Sequence, residues 1–107
     1  MDEVDYIANN ISELAVLIAL AEEANELSKA AMKYARAKGL LDNPTPISVE
    51  QAEAGLIEEY NDLLNCIAML NKVSGLTVSE NMMLRDSKYQ RWAERIESYK
   101  PKLEKKN

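Results

Sequence analysis

Neither glycine nor proline occurs between Ser12 and Lys38, and between Val49 and Ser74 there is a single glycine, Gly55. Both stretches are rich in Ala, Leu and Glu, which favour helix, and neither holds a breaker strong enough to end one. The breakers stand at their ends. Gly39 follows the first stretch, Gly75 follows the second, and Asp42-Asn43-Pro44-Thr45-Pro46 lies between them with two prolines and the turn formers Asp42 and Asn43. A chain punctuated in this way is all-α. Two long helices joined by a short loop run antiparallel, so the expected architecture is an antiparallel helical bundle.

The flanking segments follow the same logic. Residues 2 to 10 can form a short helix, which Asn9-Asn10 weakens, and Ser12 either caps a new helix or is crossed by one continuous helix. Ser48-Val49-Glu50-Gln51 has the form of a capping box, placing a helix start near Val49. Ser79 can cap a last helix from about Glu80 to Tyr99, ending before Pro101. Residues 1–100 then form one domain, with 101–107 a polar tail. The amino-terminal segment and the last helix are expected to pack around the two long ones.

On the first long helix, Leu14, Leu17, Leu20, Ala21, Ala24, Leu27 and Ala31 make an apolar stripe, with Glu23 at its edge and Glu22 and Glu26 off it. On the second, Val49, Leu56, Tyr60, Leu63, Ile67 and Leu70 make the main face. At about 100° per residue, Glu59 and Asp62 fall inside this apolar arc, flanked by Leu63, Cys66 and Met69. An acid pair facing a core costs several kcal/mol, on the order of the cost of any uncompensated buried charge, unless a base or a cation neutralises it. No Lys or Arg stands between Val49 and Asn71. The compensating charge must come from elsewhere.

Composition narrows what that charge can be. There is no histidine, and Cys66 is the only cysteine, so a zinc site built on His and Cys is excluded and any metal must be held by oxygen. Oxygen ligation favours Mg²⁺ or Mn²⁺. Glu23 and Glu26 on one helix, and Glu59 and Asp62 on the other, are each spaced i and i+3, which brings two carboxylates to neighbouring positions on one face. The bland reading of the first group is a solvated face on which Glu26 pairs with Lys29, worth about 0.2–0.5 kcal/mol.

The net charge of −5 argues against a nucleic-acid surface. The apolar run from Leu14 to Ala21 is far too short to span a bilayer, and the acidic Met-Asp-Glu-Val-Asp start is unlike a signal peptide, so no membrane role and a cytoplasmic location are expected. A 12.1 kDa chain buries only roughly two-thirds of its unfolded surface. A homodimer or homotetramer that completes the bundle is therefore expected.

Glu22-Glu23-Ala24-Asn25-Glu26, followed after a loop by Glu59-Tyr60-Asn61-Asp62, resembles the paired motifs of the MazG-like all-α nucleoside triphosphate pyrophosphohydrolases. The resemblance covers about residues 12–75. It implies Mg²⁺, with Mn²⁺ as an alternative, held by Glu23, Glu26, Glu59 and Asp62, with Glu22 orienting the attacking water. It also implies hydrolysis of a nucleoside triphosphate to the monophosphate and pyrophosphate. The Tyr-His that would suggest the phosphoribosyl-ATP branch is absent, since Leu63-Leu64-Asn65 stands there, and the gap between the motifs is wider than in compact members.

Lys88, Arg91 and Arg95 share one side of the last helix and are candidates for phosphate contacts, or else a solvated surface. Asn65, one turn beyond Asp62, is a candidate for a sugar or phosphate hydrogen bond. Tyr60 and Trp92 either stack on a base or pack in the core. Two other functions compete. A di-iron carboxylate bundle normally uses Glu-x-x-His motifs, which a chain without histidine lacks. A non-catalytic helical oligomer or adaptor explains the helices equally well, but not the inward acids.

Overall fold

The computed structural model describes residues 2–42, 46–74 and 81–106, with side chains through Lys100. It is all-helical among these residues: α1 (Glu3–Asn10), α2 (Glu13–Ala37), α3 (Val49–Val73) and α4 (Met82–Lys106).

Local chemistry sets the ends. Asp2 caps α1 by accepting the Asp5 N–H at 2.8 Å. Ser12 caps a new helix, its Oγ accepting the Ala15 N–H at 3.1 Å, so α1 and α2 are separate and meet at a bend of 114°. Gly39, with φ of 74°, occupies the left-handed region just past α2, where a Cβ would be strained. The capping box of α3 is complete. Ser48 Oγ accepts from Gln51 N–H and Gln51 Oε1 accepts from Ser48 N–H, each at 3.1 Å.

The expected start of α4 at Ser79 and Glu80, and the stop at Gly75, lie outside the described residues. Asn81 acts as a cap here, its Oδ1 accepting the Leu84 N–H at 3.0 Å. At its other end α4 does not stop before Pro101 but continues to Lys106. A proline removes one hydrogen bond of the ladder, and the Lys, Leu and Glu around it are good helix formers that carry the helix past it.

α2 and α3 pack along each other, and α1 folds back onto α3. Lys72 on α3 binds Asp5 on α1 at 3.0 Å, and this hydrogen bond and charge hold the Lys72 ammonium above its ordinary pKa. The seam has 4-3 spacing on both helices: Val16, Leu20, Glu23, Leu27, Ala30 and Tyr34 face Ala52, Leu56, Glu59, Leu63, Cys66 and Leu70. Val16, Ala52 and Leu70 are buried.

This differs from the expected faces. Leu14 and Leu17 are exposed, and the packed face of α2 is rotated so that Glu23 stands in the seam rather than at its edge. The first half of α2 is apolar on two sides, so its own pattern does not say which side meets α3. On α3, Tyr60 turns outward, forming an exposed row with Ile57 and Leu64.

The last helix also departs from expectation. Among the described residues, α4 packs against none of the other three helices. The radius of gyration is 18.8 Å, against roughly 13 Å for a compact chain of this length.

Candidate metal centre

Glu23 from α2 and Glu59 and Asp62 from α3 meet halfway along the seam. Each is half-buried, and their carboxylates offer oxygens that all lie within 4.8 Å of one another. They come together because 4-3 spacing puts Glu23 and Glu59 at seam positions, where Leu or Ala stands in the neighbouring turns. None of the three forms an ion pair with a base among the described residues.

The cost of this arrangement appears on Glu59. Partial burial raises its pKa above the ordinary carboxylate value, and a carboxyl–carboxyl hydrogen bond with Glu23 and the charges of Glu23, Asp62 and Glu26 push it further the same way. Burial likewise raises the Cys66 thiol, and Glu23 and Asp62 add to it. A thiol held protonated in this way is no nucleophile. Replacing Cys66 by Ser should therefore leave the activity proposed below within about twofold of wild type, measured as initial hydrolysis rate; complete loss would assign the sulfur a chemical role.

Three hard oxygen donors without a basic partner fit a small divalent cation, which binds carboxylates at about 2.0–2.1 Å when it is Mg²⁺. Side-chain adjustment of an ångström or so would close the 4.8 Å spread to a shared ion. A cation would also remove the repulsion that raises Glu59.

The remaining candidates are placed differently. Glu26 lies near enough to add to the field at Glu59, and the two line one groove, but Glu26 is exposed and its Oε1 faces Lys29 Nζ at 3.5 Å. The pairing with Lys29 expected for a solvated Glu26 is thus present, and Glu26 is not among the three clustered carboxylates. Glu22 and Asn65 are exposed and outside the cluster. Lys88, Arg91 and Arg95 lie on α4, which does not touch the helices bearing the acids.

Sequence reasoning named Lys29 only as a partner for Glu26 and missed Lys33 and Arg36, the further bases on this side of α2. Lys29, Lys33 and Arg36 line an open groove of about 470 Å³ together with Glu26 and Glu59. That volume is in the range of small-molecule sites. The signal was present in the chain: Glu26, Lys29, Lys33 and Arg36 recur at three- and four-residue spacing, hence on one face of α2. Gly55 also lines this groove, one turn before Glu59, and a Cβ there would meet nothing within 4 Å. Packing among the described residues therefore does not require it inside α3, although a helical glycine costs about 0.5–1 kcal/mol relative to Ala.

The arrangement is thus an acid cluster of which one member, Glu59, also lines a groove that carries Glu26 and three cations. Comparison with models of known protein families, with curated proteins and with solved structures finds no match to this chain.

Proposed function

We propose that the chain is a Mg²⁺-dependent pyrophosphohydrolase, of the MazG-like kind its motifs resemble, that converts a nucleoside triphosphate to the monophosphate and pyrophosphate. The observation that carries this reading is the meeting of Glu23, Glu59 and Asp62 from two helices, none of them in an ion pair with a base among the described residues. The bundle is antiparallel and is completed by further copies as a homodimer or homotetramer. Its setting is the cytoplasm; among the described residues no single helix is long and apolar enough to cross a membrane.

Glu23, Glu59 and Asp62 hold the metal, and Glu26 joins them by leaving Lys29. Mg²⁺, or Mn²⁺ in its place, supplies positive charge against phosphate oxygens and lowers the pKa of a bound water. Glu22, one residue from the cluster on α2, orients the attacking water when the groove is filled. Lys29, Lys33 and Arg36 face the polyphosphate along the groove, where fixed cations stabilise charge developing on the leaving pyrophosphate. Gly55 leaves room for the substrate to lie against the α3 backbone. Asn65 and the α4 residues Lys88, Arg91 and Arg95 are further polar contacts for sugar and phosphate.

A panel of canonical and modified nucleoside triphosphates, incubated with Mg²⁺ and assayed for pyrophosphate and monophosphate, tests the proposal. Release of both in equal amounts, stopped by a chelator and restored by Mg²⁺ or Mn²⁺, is the expected result. A panel without turnover, together with a melting temperature indifferent to either metal, would assign the chain to the non-catalytic adaptor class.

A further inference from the structure

The chain is electrically divided. Residues 1–80 hold 14 acids against 5 bases, and residues 81–107 hold 8 bases against 4 acids, so the two parts carry net charges of −9 and +4. The division coincides with the architecture, because the basic part is α4 and α4 stands clear of the acidic helices.

A solitary helix in water gains little from its own propensity and depends on packing one face. α4 has such a face. Met82, Tyr89, Trp92, Ile96 and Tyr99 recur at heptad spacing, and every one of them is more than half exposed. The Tyr89 and Trp92 rings stack at 6.4 Å between centroids and 12° between planes, making one flat apolar surface. Lys88 and Arg95 border this stripe on one side, with Arg91 behind them.

Charge discriminates between the surfaces that can cover it. Two α4 helices paired with each other would set Lys88 and Arg95 against their counterparts when antiparallel, and Arg95 against Lys100 when parallel. A nucleic acid or an anionic membrane would attract α4 but repel the −9 body attached to it. The complementary surface is the acidic helix pair itself, which also presents uncovered apolar residues: Leu14 and Ile18 on α2, and Ile57, Tyr60 and Leu64 on α3.

We infer that α4 docks on the α2–α3 pair of a second copy of this chain, its aromatic stripe against the exposed apolar row and its bases against the excess acids, reciprocally in a two-fold dimer. The inference specifies the helix that makes the dimer and the force that selects its partner. It gives Lys88, Arg91 and Arg95 a partner other than the substrate proposed above, and its test does not read hydrolysis.

The test uses the full chain. Sedimentation velocity across a concentration series in about 0.1 M and 1 M salt should give a dimer whose dissociation constant rises at least tenfold at high salt, where the Debye length falls from about 10 Å to 3 Å. The K88E/R91E/R95E variant should sediment as a monomer while keeping its helical circular dichroism. If that variant fails to fold, the Lys88→Gln/Arg95→Gln variant takes its place, with an intermediate rise in dissociation constant expected. Zero-length carboxyl–amine cross-linking of mixed ¹⁴N and ¹⁵N chains should join Lys88 or Lys100 to acids of α2 or α3 in isotopically mixed pairs. Isotopically unmixed pairs alone would show that α4 folds onto its own chain. A monomer at every concentration, α4–α4 cross-links, or a dimer indifferent to salt and to charge reversal would each overturn the inference.

Discussion

Glu59→Gln should abolish both the catalytic and the thermal response to Mg²⁺ while making the metal-free protein more stable at neutral pH. The three effects share one cause. In the wild type, partial burial, the hydrogen bond with Glu23 and the neighbouring carboxylates raise the Glu59 pKa on folding. A carboxyl whose folded pKa lies above its unfolded value binds more protons in the folded state through that window. Its contribution to stability is therefore fully present below the unfolded pKa and is lost as pH rises through the folded pKa. Above that folded pKa the wild type carries the repulsion between the ionised carboxylates. Gln carries none, so in chelator the variant should melt higher than wild type at pH 7, and the difference should shrink as pH falls into the carboxylate range. Adding metal reverses the order. Ligand at about ten times its dissociation constant stabilises by about 1.4 kcal/mol, or several degrees for a chain of this size. The variant, short of one ligand, should not respond. Its hydrolysis rate should fall at least about 100-fold, since even changes to groups that merely support a metal ligand cost 10- to 100-fold. Equal Mg²⁺-induced shifts in the two proteins would show that the ion binds elsewhere.

The part of this site legible in the sequence was the part set by local periodicity. Glu59 and Asp62 fall inside the apolar arc of their helix, and the missing bases between Val49 and Asn71 made their charge conspicuous. Helix ends written in side-chain chemistry were legible too: the Ser48–Gln51 box and the Gly39 stop stand where the residues put them. Pro101 does not end α4: a local rule counts the lost hydrogen bond but not the helix formers on either side. What depended on the partner helix was not legible. α2 carries apolar residues on two sides, and only contact with α3 selects the Val16, Leu20 and Leu27 side as the seam, drawing Glu23 into it. Lys33 and Arg36 were overlooked for the same reason, since a basic residue on a polar face gains meaning only when the groove beside it is known. The amphipathic pattern of α4 predicts packing against the two long helices, and the structure departs from this: among the described residues α4 packs against none of the other three helices, and its aromatic face stays exposed.

Leu70→Ala should be the most damaging single change to stability outside the acid cluster. Leu70 is 2% exposed and, among the described residues, shares the buried core only with Val16 and Ala52. It lies at the end of the seam where α1 is tied to α3 through Asp5 and Lys72, and its carbonyl accepts both the Ser74 N–H at 3.0 Å and the Ser74 Oγ–H at 2.8 Å. Truncation leaves those polar contacts intact, so the loss reads the packing alone. Leu→Ala at a closed site costs about 2–5 kcal/mol, against a total of about 5–15 kcal/mol for a domain of this size. Urea unfolding should show a third or more of the stability gone. The ion pair nearby is exposed, and Asp5→Asn should cost about 1 kcal/mol or less. Leu64→Ala supplies the contrast. Leu64 is 42% exposed in the single chain, where its truncation should cost no more than about 0.5 kcal/mol. If α4 of a second copy covers it, the cost rises toward that of Leu70 and grows with protein concentration, because association is then coupled to folding. A Leu64→Ala cost that stays small at every concentration would leave the apolar row of α3 uncovered in solution.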